Sequence, residues 1–165
     1  MKKYEFTGET KEIRLLFRTA TLHRIRATVA FGIVEVGDLG GWIEKEENLS
    51  HEGKAWVCGD AEVWGNAKVC GDAEVWGNAK VFSASHVLVI GAIGSRNDFT
   101  TFYRDKDNEI TVKCGCFLGK IDRFLEKVTQ THGDSKYALV YRAAVEVAKL
   151  QIDLSGEAPK DADEE

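Results

Sequence analysis

The chain has 165 residues, 44% of them hydrophobic, and a net charge of −5; this is enough apolar material for one compact core or two small ones and excludes a wholly disordered chain. The acidity sits in the tail, where Asp153, Glu157, Asp161, Asp163, Glu164 and Glu165 face only Lys160, so the rest is near neutral and offers DNA or RNA no general basic field. No apolar run follows Lys2 and Lys3, and no stretch approaches the roughly 18 apolar residues of a membrane span, so a soluble, cytoplasmic protein with no membrane partner is expected.

Residues 1–48 are predicted to form an N-terminal β region and a lead-in cap. TLHRIRATVAFGIVEV has the alternation and β-branched content of strands, and GDLGGWIEKEENLS, with Ile43 and Leu49, reads as an irregular lead into the repeated units downstream. Arg24 and Arg26 flank Ile25 and so share one strand face. They are candidates for an anion site, with pairing to Glu44, Glu46 and Glu47 as the blander alternative.

From Gly53 the chain divides into six-residue units: GKAWVC, GDAEVW, GNAKVC, GDAEVW, GNAKVF and SASHVL, then VIGAIG. Tandem hairpins closed on Gly-Asp and Gly-Asn are one reading. A turn at Gly65-Asn66 would set Val63 opposite Lys68 and Glu62 opposite Val69, mixing charge with valine on each face, and this breaks the alternation that fixes register. A chain that turns the same way after every unit instead puts Val57, Ala61, Val63, Ala67, Val69, Ala73, Val75, Ala79, Val81, Ser85 and Val87 into one interior. Nothing in that set is charged.

Beyond residue 94, Gly91-Ala-Ile-Gly94-Ser95-Arg96 to Arg104 gathers glycine amides, hydroxyls, two arginines and aromatics. Ser95, Arg96, Thr100, Thr101, Tyr103 and Arg104 are therefore candidate contacts for a phosphate or nucleotide, the alternative being a structural turn. A hairpin is predicted across Asp105 to Asn108. Two helices come next within 95–152: the first carries Ile121, Phe124, Leu125 and Val128 on one stripe and stops at Gly133. The second starts at Asp134 or Ser135 and buries Tyr137, Val140, Tyr141, Ala144, Ala148 and Gln151. Residues 153–165 read as a disordered acidic tail.

Cys114 and Cys116 lack the two-residue gap of common zinc sites and are expected to be buried on one face of a strand, with Cys58 and Cys70 also free; the histidines His23, His51 and His132 have no metal-ligand spacing. No metal or cofactor is expected.

The repeated units resemble those of hexapeptide-repeat proteins, which implies a short left-handed parallel β-helix with three hexads, about 18 residues, per coil. The resemblance stacks Glu62 over Lys80, Val57 over Val75, Trp64 over Phe82, Cys58 over Trp76 and Cys70 over Leu88. The implied fold is mainly β with α: a β-helix over 49–94, an N-terminal β cap, and a C-terminal β-hairpin with a helical hairpin.

TLHRIRAT, GDLGGWIEKEENLS, the hexads and ITVKCGCFLGKIDRFLEKV with THG together resemble a family of phage and prophage proteins labelled as transferases on fold analogy. The resemblance implies a non-catalytic oligomer, a trimer by analogy, that sequesters a small anionic ligand such as a nucleotide immune signal and so counters host defence. The apolar outward residues Trp64, Trp76, Phe82 and Leu88 would form the interface between protomers, the alternatives being cover by a flanking lobe or a ligand platform. A second reading is an acyltransferase using acetyl-coenzyme A, with His86, in HVLVIGAIGSRND, as the base. A third is a scaffold that presents the helices to a host protein.

Overall fold

The computed structural model describes residues 1–157 and Asp161. Long strands open the chain: β1 (Tyr4–Arg14) and β2 (Thr19–Ala27) form an antiparallel hairpin, and β3 (Leu39–Ile43) pairs antiparallel with β2. The repeated units then contribute only two-residue strands, β4 (Trp56–Val57), β5 (Glu62–Val63), β6 (Glu74–Val75) and β7 (Lys80–Val81). Next come β8 (Val87–Ile93), β9 (Asp98–Arg104), β10 (Ile110–Cys114) and β11 (Phe117–Lys120), and then α1 (Ile121–His132) and α2 (Lys136–Gln151).

The expected fold class and the left-handed β-helix reading are corrected. The strands divide among three sheets: a mixed one in the order β1-β2-β3-β5-β7, an antiparallel one in the order β11-β10-β9-β8, and the parallel pair β4-β6. With two helices and no solenoid among the described residues, this is closer to a small sandwich-type fold. The physical reason lies in strand length. Two-residue strands make few ladder bonds, whereas the long β1–β2 hairpin and the β8–β11 meander satisfy far more backbone groups and set the architecture.

Within the repeats, local pairing keeps the eighteen-residue interval. Glu62 pairs with Lys80 and Val63 with Val81 in parallel, and Val57 pairs with Val75. Val57, Ala61, Val63, Ala67, Val69, Ala73, Val75, Ala79 and Val81 are all buried, while Ser85 and Val87 are half-buried. Glycine is required where each unit turns: Gly53 has φ +67° and Gly65 φ +62°, and a Cβ at either would sit 2.6 or 2.8 Å from the carbonyl oxygen of Gly71 or Phe82. Glu62 is buried between Lys80 at 3.2 Å and Lys11 at 2.6 Å. Burial pushes its carboxyl up and the two ammonium groups pull it back, while the two carboxylates near Lys80, Glu62 and Asp161, outweigh burial and hold that ammonium above its usual range.

The antiparallel sheet β8–β11 divides the interior into layers. On β8, Val87 and Val89 pack on the core of the repeats, and Leu88 and Ile90 pack on the core of the helices; on β9, Tyr103 and Phe102 divide the same way. This is the alternation of strands that pack on both faces. The first core runs from Tyr4 to Tyr103, so the N-terminal region and the repeats share one interior.

The predicted hairpin across Asp105 to Asn108 is present: Ile110 opposes Arg104, and the Asp105 carboxylate accepts from the Asp107 and Glu109 amides at 2.9 and 3.2 Å. Gly133 ends α1 at φ +59° and Ser135 precedes α2. The buried stripe of α2 is Ala138, Tyr141, Ala144, Val145 and Ala148, so the predicted stripe is rotated; Tyr137 and Gln151 are exposed. The start of the predicted tail is packed rather than solvated. The Asp153 amide donates to the Ser85 carbonyl at 3.0 Å, Asn108 donates to the Leu154 carbonyl at 2.7 Å, and Leu154 joins the helical core. Residues 158–160 and 162–165 of that tail lie outside the described residues.

Candidate functional site

Where β8 passes to β9, the chain turns at Gly94-Ser95-Arg96-Asn97, with the Asn97 amide donating to the Gly94 carbonyl at 3.3 Å. Beside it, β10 and β11 are joined by the two-residue turn Gly115-Cys116, with Gly115 at φ +57°. Glycine in the first position is what such a hairpin turn requires. Helix α1 closes the third side. Between them lies a cleft of about 200 Å3, lined by Ser95, Arg96, Asp98, Cys114 to Phe117, and by Phe124, Lys127, Val128, Thr131, His132 and Tyr141 from the helices.

The floor is apolar and the mouth is charged. Phe124, Val128 and Tyr141 are buried, with Phe124 packed edge-on against Tyr141 at 5.7 Å. Arg96 and Lys127 stand at the mouth, both exposed, and among the described residues neither is in an ion pair. Desolvation, reinforced by Cys114, pushes the Tyr141 hydroxyl up to about 12, so it stays protonated. Thr100 donates to the Cys114 sulfur at 3.3 Å. Gly94 makes room for the Tyr141 hydroxyl: a Cβ there would lie 1.9 Å from the Tyr141 oxygen, at a backbone φ of +80°.

Of the predicted ligand contacts, the structure brings only Ser95 and Arg96 to this cleft. Thr100, Thr101, Tyr103 and Arg104 are buried, and the hydrogen bonds they make are inside the protein. Thr101 accepts from the Glu74 amide at 3.0 Å, while the Tyr103 hydroxyl donates to the Trp76 carbonyl at 2.6 Å and receives the Trp76 amide at 3.3 Å. These side chains close the open flank of the repeats. Arg104 donates to the carbonyls of Ser155 and Gly156 at 3.2 and 2.8 Å and lies 5.0 Å from the Phe82 ring centre. Arg24 and Arg26 belong to β2 and do not line the cleft; they pair with Glu9 at 3.8 Å and Glu5 at 2.7 Å, across the hairpin rather than with Glu44, Glu46 or Glu47.

His86, the candidate base of the acyltransferase alternative, is buried, 3% exposed. A short helical turn at Ala84–His86 directs it inward, where its Nδ1 accepts from the Phe82 amide at 3.1 Å and its Nε2 lies 3.2 Å from an Arg104 nitrogen. Desolvation and the Arg104 charge lower its pKa to about 4. This imidazole is neutral, enclosed and without access to an acceptor substrate.

The expected oligomer-interface residues are mostly covered from within the chain. Trp64 is 5% exposed, stacked on Phe82 at 4.4 Å, and packed among Ile13, Ala20, Leu22 and Trp42 of the N-terminal sheet. Leu88 packs on the helical core. Trp76 is half-buried beneath the Lys113 ammonium, 4.7 Å from its ring centre.

Lys127, His132 and Tyr141 were not legible as site residues: on sequence Tyr141 belongs to the stripe of the second helix, His132 stands beside the helix stop at Gly133, and Lys127 lies off the stripe of the first helix. Cys114 and Cys116 were expected to be buried on one strand face; they are half-buried and exposed, because Cys116 lies in the turn. Among the described residues no cluster of three or more His, Cys, Asp or Glu side chains could hold a metal ion, and no helix is long and apolar enough to cross a membrane. No family model and no curated protein matches the chain.

Proposed function

We propose that the protein is a non-catalytic binding protein that takes a small anionic ligand, such as a nucleotide, at the cleft between Ser95-Arg96 and α1. The observation that carries this reading is the juxtaposition of two cations, Arg96 and Lys127, with an apolar aromatic floor. Arginine and lysine at the mouth suit a phosphate or carboxylate, and the floor of Phe117, Phe124 and Tyr141 suits a ring. A volume of about 200 Å3 is below the roughly 300 Å3 at which drug-sized pockets begin. The ligand therefore buries one ring and leaves its anion at the mouth. Sequestration of a nucleotide signal against host defence is the biological form of this proposal, and it rests on the family resemblance. The acyltransferase alternative loses its general base with the burial of His86.

Calorimetry with a panel of linear and cyclic mononucleotides and dinucleotides tests the reading. Binding heat is expected for at least one ligand without turnover, and Arg96→Ala and Lys127→Ala should each weaken it about tenfold, or about 1.4 kcal/mol. No heat across the panel, or binding indifferent to both substitutions, overturns it.

A further inference from the structure

The antiparallel sheet ends on β8. Among the described residues no backbone hydrogen bond joins Val87–Ile93 to any strand but β9, so one row of N–H and C=O groups along this strand has no strand beside it. Such an edge is a template for another strand, and proteins ordinarily guard it with charge, proline, brevity or a cover. The other edges of the two larger sheets are guarded. β1 carries Glu5, Glu9, Lys11, Glu12 and Arg14; β11 is four residues long and runs from Lys120 directly into α1; β7 has two residues, and the neighbouring Ala79 is bridged by Asp105. β8 reads VLVIGAI, with neither charge nor proline.

We propose that β8 pairs antiparallel with β8 of a second copy across a twofold axis, joining two four-stranded sheets into one of eight strands. Register supports a copy of this chain as the occupant. Directly opposed residues of an antiparallel pair share a face, so the axis must pass through a residue rather than between two. Val87 and Val89 face the core of the repeats, and Leu88 and Ile90 face the helical core. An axis at Val89 sets Val89 opposite its own copy and Leu88 opposite Ile90 of the second copy. Apolar then meets apolar, and both layers of the interior continue across the axis. An axis one residue away, at Leu88, would set the buried His86 opposite Ile90 instead. No charged residue of β8 is opposed to another in either register.

The register shift between Ile90 and Ile93 limits the straight part of the strand to its first half. The joined ladder is accordingly short, and the dimer should dissociate on dilution. Its interface is separate from Trp64, Phe82 and the ligand cleft, so it stands or falls independently of ligand binding.

Sedimentation velocity over a dilution series, combined with hydrogen exchange, tests the proposal on the intact chain. The expected result is a monomer–dimer equilibrium in which the amides of Val87–Ile90 that point away from β9 gain protection only in the dimer while the β1 amides exchange alike in both. Ala92→Lys, at an exposed position, puts an ammonium beside the edge and should weaken the dimer at least about tenfold with an unchanged circular dichroism spectrum. Should that variant fail to fold, exchange in the unaltered protein still decides. A monomer at every concentration, a trimer, or a dimer whose β8 amides exchange as in the monomer overturns the pairing.

Discussion

His86 shows how burial decides chemistry at the scale of one side chain. The same imidazole that would be an ordinary base in water is enclosed beside Arg104, and its pKa falls from 6.5 to about 4. In that window the unfolded chain binds a proton that the native state refuses, so stability is complete above about pH 6.5 and is lost as pH falls toward 4. A shift of this size corresponds to on the order of 3 kcal/mol. The thermal midpoint should therefore drop between pH 6.5 and 4 more steeply in the native protein than in His86→Gln, whose amide does not titrate in this range; parallel pH curves would remove His86 as the cause. Gly94 makes the complementary point, because its missing Cβ is the space that the Tyr141 hydroxyl occupies.

Elements here are stabilised as much by side chains from their neighbours as by their own ladders. The two-residue strands of the repeats leave backbone groups open, and β9 closes them through Thr101 and Tyr103. Tyr103→Phe removes one hydroxyl that serves both the amide and the carbonyl of Trp76. Leaving these part-buried backbone groups without the phenol should cost about 1 kcal/mol, read as a lower urea midpoint at constant slope, with faster exchange of the Trp76 amide. An unchanged midpoint would mean that water replaces the phenol. The hairpin at Asp105 to Asn108 and the stop at Gly133 were legible in sequence because turn chemistry is local. The face of α2 was less so: it is apolar on several sides, and the packing of Ala138 and Val145 on the sheet chose among them.

For the whole molecule, the question posed by the tryptophans is which neighbour covers each face of the repeats. Trp64 is covered by the chain's own N-terminal sheet, so Trp64→Ala should destabilise the monomer by about 3–5 kcal/mol and leave the state of association untouched. Equilibrium unfolding and sedimentation of the same sample separate these effects; dissociation without loss of stability would restore Trp64 to an interface. Sequence alone determined the buried set from Val57 to Val81 and the position of both helices, since each arises from short-range periodicity and turn residues, while the eighteen-residue pairing of Glu62 with Lys80 was implied by the resemblance to hexapeptide repeats. Sequence also pointed to Ser95 and Arg96. Only the tertiary structure decided that the long hairpin and the β8–β11 sheet set the architecture, that Thr100 to Arg104 face inward, and that Lys127 and Tyr141 meet Arg96 across a cleft. Those outcomes depend on contacts between residues far apart in the chain, where several partners could satisfy the same apolar or polar group and only the packed whole selects one.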